Sequence, residues 1–252
     1  MRILLSNDDG ILARGLGVLE RACESLGELT VVAPDREQSA TSHSLTLHHP
    51  LRPVRLGERR WQVDGTPTDS VLIGVGALMD ERPDFVVSGI NHGANMGEDV
   101  LYSGTVAAAM EGLALGIPSI AVSFAGTVLR ADALLDSHVG MLRKLLAHIM
   151  ALPSFPADTL LNVNLPALDA SQIKGVKLTR LGRRVFSDSI TRMKDPWGRE
   201  IFWIGGGSVE WSGPTDSDFA TVADGYISVT PLHLDLTHRD QLDASADWWR
   251  EL

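Results

Sequence analysis

Two adjacent carboxylates, Asp8 and Asp9, stand in Asn7-Asp-Asp-Gly10, close to the amino terminus. Like charges side by side repel unless a cation lies between them or one is protonated. Oxygen-only ligands suit hard cations such as Mg²⁺, Mn²⁺ or Ca²⁺, and not zinc. The same four residues also make an ordinary Asx turn, because Asn, Asp and Gly favour turns. Both readings stand at this point. A second polar stretch, Pro34-Asp-Arg-Glu-Gln-Ser-Ala-Thr-Ser-His-Ser44, offers hydroxyls at Ser39, Thr41, Ser42 and Ser44 to a metal or a phosphate. Within it, Arg36 is either an anion clamp or the ion-pair partner of a neighbouring acid. His43 is either a general acid–base group or a capped loop histidine.

A third stretch, Ser88 to Thr105, carries glycines at 89, 93 and 97 and the amides of Asn91 and Asn95. Glycines there let backbone approach a ligand closely. Tyr102-Ser-Gly-Thr105 then opens an Ala-rich helix. Free N–H groups and the positive dipole end make such a helix start an anion site, and Ser103 and Thr105 add hydroxyls. A phosphate site is therefore expected; the alternative is a plain N-cap with a connector.

The elements that must position these loops alternate. Ile3 to Leu5, Leu29 to Ala33, Phe85 to Val87, Ser119 to Phe124 and Leu160 to Leu165 read as buried strands. Leu16 to Leu26, Thr66 to Met79, Ser103 to Gly116 and Leu129 to Leu152 read as helices, with Thr66 an N-cap and Pro67 at N1. Strand and helix in alternation with short links predict an α/β, Rossmann-like, doubly wound and mostly parallel sheet. Ligands of such sheets bind beyond the carboxyl ends of the strands, where all three polar loops fall.

The organisation expected is one domain over 1–252, with a Rossmann-like core over 1–170 and a β-rich extension over 171–252. In the extension, Lys174 to Leu181 and Tyr226 to Leu232 read as strands. Phe186 to Gly213, rich in Gly, Trp and Arg around Asp195-Pro-Trp-Gly198, reads as a projecting hairpin arm. Gln241 to Leu252, with Trp248 and Trp249, reads as a short terminal helix. Exposed aromatic arms pack on something, so the extension is expected either to carry oligomerisation or to cover one end of the sheet.

Several chemistries fail on spacing. Gly15-Leu-Gly17 and Gly74-Val-Gly76 begin like dinucleotide loops but lack the third glycine and lie in helices, where they read as packing glycines. The sequence has no GxxxxGK[ST], GxSxG or HExxH, and Asp8 and Asp9 are adjacent where aspartyl-phosphate phosphatases space their acids by one residue. With 22 Lys and Arg against 32 Asp and Glu, the net charge of −10 argues against a nucleic-acid polymer as partner. A single cysteine, Cys23, excludes an internal disulfide framework. No apolar run approaches the roughly 20 residues of a spanning helix. A cytoplasmic protein with no membrane partner is expected.

The polar motifs, taken in order, match a known family. Leu4-Leu-Ser-Asn-Asp-Asp-Gly10, Val32-Ala-Pro-Asp-Arg36, Ser42-His-Ser-Leu-Thr-Leu47, Gly65-Thr-Pro-Thr-Asp69, Val87 to Gly97 and Tyr102 to Gly112 resemble the survival protein SurE family, as does Tyr226-Ile-Ser-Val-Thr-Pro-Leu232. The resemblance implies a metal-dependent phosphatase that hydrolyses nucleoside 5′-monophosphates, a 5′-nucleotidase, with 3′-nucleotidase and polyphosphatase activities to be tested beside it. It implies one divalent ion per subunit, Mg²⁺ or Mn²⁺, held by Asp8, Asp9, Ser39 and Asn91. It also places Asn95, Ser103, Gly104 and Thr105 on the phosphate, and a homodimer or homotetramer built through the arm. Asp8, Asp9 and Asn95 are then the catalytic candidates, with Asp8 or Asp9 orienting or deprotonating the attacking water. The rival reading is a nucleotide sensor that uses the same pocket without turnover.

Overall fold

A run of three apolar residues, Ile3 to Leu5, lies fully buried in β1 (Arg2–Ser6), as a parallel strand covered on both faces requires. The computed structural model describes residues 1–127, 133–186, 190–204 and 209–245. After β1 come α1 (Arg14–Cys23), β2 (Glu28–Pro34), the hairpin β3 (Pro53–Gly57) with β4 (Arg60–Val63), and α2 (Pro67–Ile73). The chain continues through β5 (Phe85–His92), α3 (Gly104–Ala114), β6 (Ser119–Ala125), α4 (Val139–Met150) and β7 (Leu160–Pro166). Beyond them lie β8 (Val176–Leu178), β9 (Arg183–Phe186), β10 (Ile190–Lys194), β11 (Glu200–Ile204), β12 (Val209–Ser212), α5 (Asp218–Ala223), β13 (Ile227–Leu232) and α6 (Arg239–Ala244).

One sheet runs in the order β3-β4-β2-β1-β5-β6-β7-β13-β8. Every neighbouring pair from β4 to β7 is parallel; β3 against β4 and β13 against β7 are antiparallel. Leu16 and Leu19 of α1 and Leu142 and Leu146 of α4 join Ile3, Leu5 and Val87 in a core on one face. On the other face Val71 of α2 and Ala108 of α3 pack with Leu4, Val32 and Val86. This is the doubly wound, mostly parallel sheet that the alternation predicts. The chain leaves β1 to one side for β2 and to the other for β5, so the strand order reverses between β1 and β5. Open α/β sheets bind ligands at that reversal.

Local chemistry explains the element ends. Thr66 caps α2 by accepting the Asp69 N–H at 3.1 Å, while Asp69 accepts the Thr66 N–H at 2.8 Å, a reciprocal capping box. Ser103 caps α3 by accepting the Val106 N–H at 3.1 Å. Gly15 of α1 is a true packing glycine, since a Cβ there would lie 2.0 Å from the Ile90 carbonyl oxygen. Gly74 also packs, against Leu4 and Val32, but Gly17 and Gly76 face open space and carry no packing role.

The structure departs from the sequence reading in several places. Helix α2 ends at Ile73 and continues as one π-helical turn over Gly74–Leu78. Strand β5 runs five residues beyond Val87, to His92, through a register shift between Ser88 and Asn91. The glycine-rich segment thus begins as strand and only then becomes loop. The long helix expected from Leu129 is interrupted by a 3₁₀ turn at Leu135–His138, before the α-helix from Val139; residues 128–132 lie outside the described residues. The strand over Lys174 to Leu181 shrinks to β8. The β3–β4 hairpin went unread: its alternation is short, Val54-Arg-Leu56 and Arg60-Trp-Gln-Val63, and β3 is exposed along its length. Trp248 and Trp249 also lie outside the described residues, of which α6 is the last helix.

Candidate active site

The loop after β1 is built by Asn7. Its buried side-chain amide donates to the Gly10 carbonyl at 2.9 Å, and Gly10 takes φ +95° with its backbone packed on Arg36. A turn therefore forms here, but not an Asx turn: the Asn7 amide donates, and among the described residues its Oδ1 accepts no hydrogen bond. It leaves both carboxylates free to face the strand ends, so turn and ligand site are compatible.

Asp8 is buried and accepts the Thr105 hydroxyl hydrogen bond from the first turn of α3. A Cβ on Gly104 would fall 2.7 Å from that of Asp8, so only a glycine lets the helix start come this close. Burial pushes the Asp8 carboxyl up to about 6; the Thr105 hydrogen bond opposes this and the charge of Asp9 adds to it. Asp9 is likewise held above the usual carboxylate range, mainly by burial. His92 pulls it down and Glu37 pushes it up. Its Oδ2 accepts the His92 N–H at 3.2 Å, with His92 Nδ1 at 3.8 Å.

The other expected residues are placed unequally. Asn91 is the next-to-last residue of β5, its amide donating to the Gly93 carbonyl at 2.8 Å, and His92 after it meets Asp9. Ser39 is exposed and donates to Glu37 at 2.6 Å. The backbone of its loop nonetheless meets the β1 turn, because the Gln38 N–H donates to the Asp8 carbonyl at 2.8 Å. Ser103, Gly104 and Thr105 are all buried at the start of α3. Arg36 pairs with Asp35 at 3.5 Å, the surface role rather than the clamp.

Asn95 sits at the centre of a buried polar cluster that the sequence reading did not foresee. Its Nδ2 donates to Ser123 Oγ at 2.8 Å and its N–H to Asn164 Oδ1 at 2.9 Å. Its carbonyl accepts from the amides of Asn162 at 2.8 Å and Asn164 at 3.0 Å. The available signal was Asn162-Val-Asn164 in an otherwise apolar strand: two amides at period two on one buried face. Two further tethers were unread. His43 pairs with Glu111 of α3 at 2.8 Å. Buried Asp218 accepts the N–H groups of Gly97, Gly182 and Phe219 at 2.8–2.9 Å, joining the loop to the start of the arm.

The donor set fits a hard cation. Two neighbouring carboxylates are pushed toward neutrality by burial, and among the described residues their ion pairing is limited to Asp9 with His92. Among the described residues no group of three or more His, Cys, Asp or Glu side chains converges, so neutral oxygens must complete any coordination. A separate groove of about 840 Å³ opens at the opposite, amino ends of β1 and β2, but its Arg2 and Arg59 are already paired with Glu81 and Glu28. Among the described residues no helix is long and apolar enough to cross a membrane.

Comparison with known proteins identifies the family. The family described as Survival protein SurE matches residues 3–188. The chain is 80% identical over 251 residues to a Gemmatimonas aurantiaca protein named 5′-nucleotidase SurE, covering 100% of both. It is 48% identical to a protein of the same name from Geotalea uraniireducens, over 98% of this chain and 99% of that one. The crystal structure of the SurE protein from Aquifex aeolicus superposes with a TM-score of 0.86 at 41% identity, covering 97% of this chain and 98% of that one. On the family match, the full-length identities and the shared fold, this chain belongs to the survival protein SurE family.

Proposed function

We propose that the protein is a metal-dependent phosphatase that hydrolyses nucleoside 5′-monophosphates to nucleoside and phosphate. The observation that carries the reading is the convergence of Asp8, Asp9 and Asn91 with the amino end of α3 at the sheet's reversal point. Carboxylates alone would repel an anionic substrate. Carboxylates facing a helix start and its hydroxyls make a site for a cation and a phosphate together. The relatives named as 5′-nucleotidases support the same substrate class.

In this reading Asp8, Asp9, Ser39 and Asn91 hold one divalent ion, Mg²⁺ or Mn²⁺, with Ser39 turning away from Glu37 to do so. When bound, such an ion lowers the pKa of a ligated water and polarises a phosphoryl oxygen. The N–H groups at Gly104 and Thr105 and the Ser103 hydroxyl bind the phosphate, where preorganised donors stabilise charge on the equatorial oxygens. The Thr105 hydroxyl, already given to Asp8, aligns that carboxylate. Asn95, locked by Ser123 and β7, fixes the loop and offers its remaining amide hydrogen to the phosphate. Asp8 or Asp9 accepts the proton of the attacking water. The water oxygen bonds to phosphorus, the bond from phosphorus to the ribose oxygen breaks, and that oxygen takes up a proton. Activity on 3′-nucleotides and polyphosphate, a cytoplasmic location, and a homodimer or homotetramer belong to the same proposal.

Phosphate release from AMP and GMP, measured on EDTA-treated protein before and after adding Mn²⁺ or Mg²⁺, tests it. Turnover should appear only with metal. Asp9→Asn should then lose about two orders of magnitude or more in kcat, with the melting curve near that of the parent. Nucleotide binding without metal-restored turnover on any monophosphate would leave the sensor reading instead.

A further inference from the structure

The loop from Gln38 to Thr46 holds two non-glycine residues in the left-handed region, Ala40 at φ +57° and Ser42 at φ +55°. Each costs of order 1 kcal/mol and persists only where neighbours over-determine it. Five tethers do so here. The Gln38 N–H donates to the Asp8 carbonyl at 2.8 Å and the Ser42 N–H to the Tyr102 carbonyl at 3.1 Å. The Thr46 N–H donates to Asp69 at 3.0 Å and the Thr66 hydroxyl to the Ser44 carbonyl at 2.8 Å. The fifth differs in kind. His43 Nε2 meets Glu111 Oε2 at 2.8 Å, and the Glu111 side chain is only 11% exposed while that of His43 is 34% exposed. A carboxylate so withdrawn from water needs a hydrogen-bonding partner, and this one takes it from the loop.

Glu111 lies on α3, the helix whose first turn presents Ser103, Gly104 and Thr105 and whose Thr105 holds Asp8. His43 therefore ties the Ser39 segment to the same rigid element that carries the phosphate-binding turn. We propose that His43 is a positioning residue: through buried Glu111 it holds the strained Ser39 loop beside Asp8 and Asp9, so that the fourth oxygen donor stands ready for the cation. With its Nε2 engaged by Glu111, it acts through the loop. The inference rests on the metal-dependent reading above.

Mn²⁺ affinity of the metal-free protein, read by titration calorimetry, is the primary test, with the Mn²⁺ concentration for half-maximal AMP hydrolysis beside it. His43→Ala should weaken Mn²⁺ binding about tenfold and raise the half-maximal concentration equally, with kcat at saturating Mn²⁺ changed less than twofold. Limited proteolysis of the metal-free protein at Arg36 should speed up. His43→Gln, whose amide nitrogen stands close to where Nε2 was, should restore affinity to within about threefold. An unchanged Mn²⁺ affinity in His43→Ala would overturn the proposal, as would an equal loss in His43→Gln. If the unaltered protein shows no metal-restored hydrolysis, the functional reading fails instead, and the calorimetry alone decides whether His43 supports cation binding.

Discussion

Asp8 combines two demands that pull against each other. Its ordinary pKa of 3.8 rises to about 6 because the folded chain removes it from water. Between those values the folded state binds more protons than the unfolded one. Stability therefore falls as pH rises through that window and stays lower above it. Asp8→Asn removes the penalty yet keeps an oxygen to accept from Thr105. In EDTA it should gain on the order of 1–3 kcal/mol at about pH 7 and almost nothing at about pH 4. Urea denaturation of parent and variant at the two pH values measures this; equal midpoints at neutral pH would show that burial does not strain the carboxylate. Residues of this kind were legible in the sequence because their signals are local: an acidic pair in a turn, a Ser-Gly-Thr at a helix start. Ser39's orientation and the amides of Asn162 and Asn164 were not. Their roles are set by Glu37 on one side and by Asn95 on the other, the latter brought near only by strand pairing.

Helix α1 shows how an element some distance from the chemistry constrains it. At Gly15 the helix backbone lies against Ile90, the residue before Asn91, whereas Gly17 two positions later faces open space. Ala at Gly15 must push β5 or α1 aside, at a cost of about 2–3 kcal/mol. Ala at Gly17 should stabilise by about 0.5–1 kcal/mol, the ordinary helix-propensity gain. Melting the two variants side by side separates contact from propensity; similar shifts in both would contradict the close approach. At this scale the alternation of buried runs and capped helices gave the core its reading, because parallel strands are apolar on both faces and announce themselves. The β3–β4 hairpin gave no such signal. It is held to the sheet by the parallel pairing of β4 with β2, with Arg60 reaching the Ile11 carbonyl at 2.7 Å and Arg55 lying 5.7 Å from the Trp61 ring centroid.

At the scale of the whole molecule the acidic balance and the arm are the two unspent features. A net charge of −10 suits a phosphate enzyme only where the positive charge comes from a bound ion and a helix start, which is the arrangement proposed for Asp8 and α3. The arm is a different matter. Strands β10 and β11 pair antiparallel around the Asp195 turn, and Trp197, Phe202, Trp203 and Ile204 are 78%, 58%, 64% and 90% exposed. An isolated two-stranded ribbon has no core of its own, and large apolar side chains in water favour association. At the start of the arm the Asp218 hydrogen bonds to Gly182 and Gly97 anchor it to the loop that carries Asn95. Light scattering of the full chain should therefore give a multiple of 27.2 kDa, two or four subunits. Replacing residues 190–204 by a short Gly-Ser turn should lower that multiple while preserving the melting transition, since the Asp218 anchor and the nine-stranded sheet remain. A full chain that scatters as a single 27.2 kDa particle, or a shortened one of unchanged mass per assembly, would sink the arm as the interface.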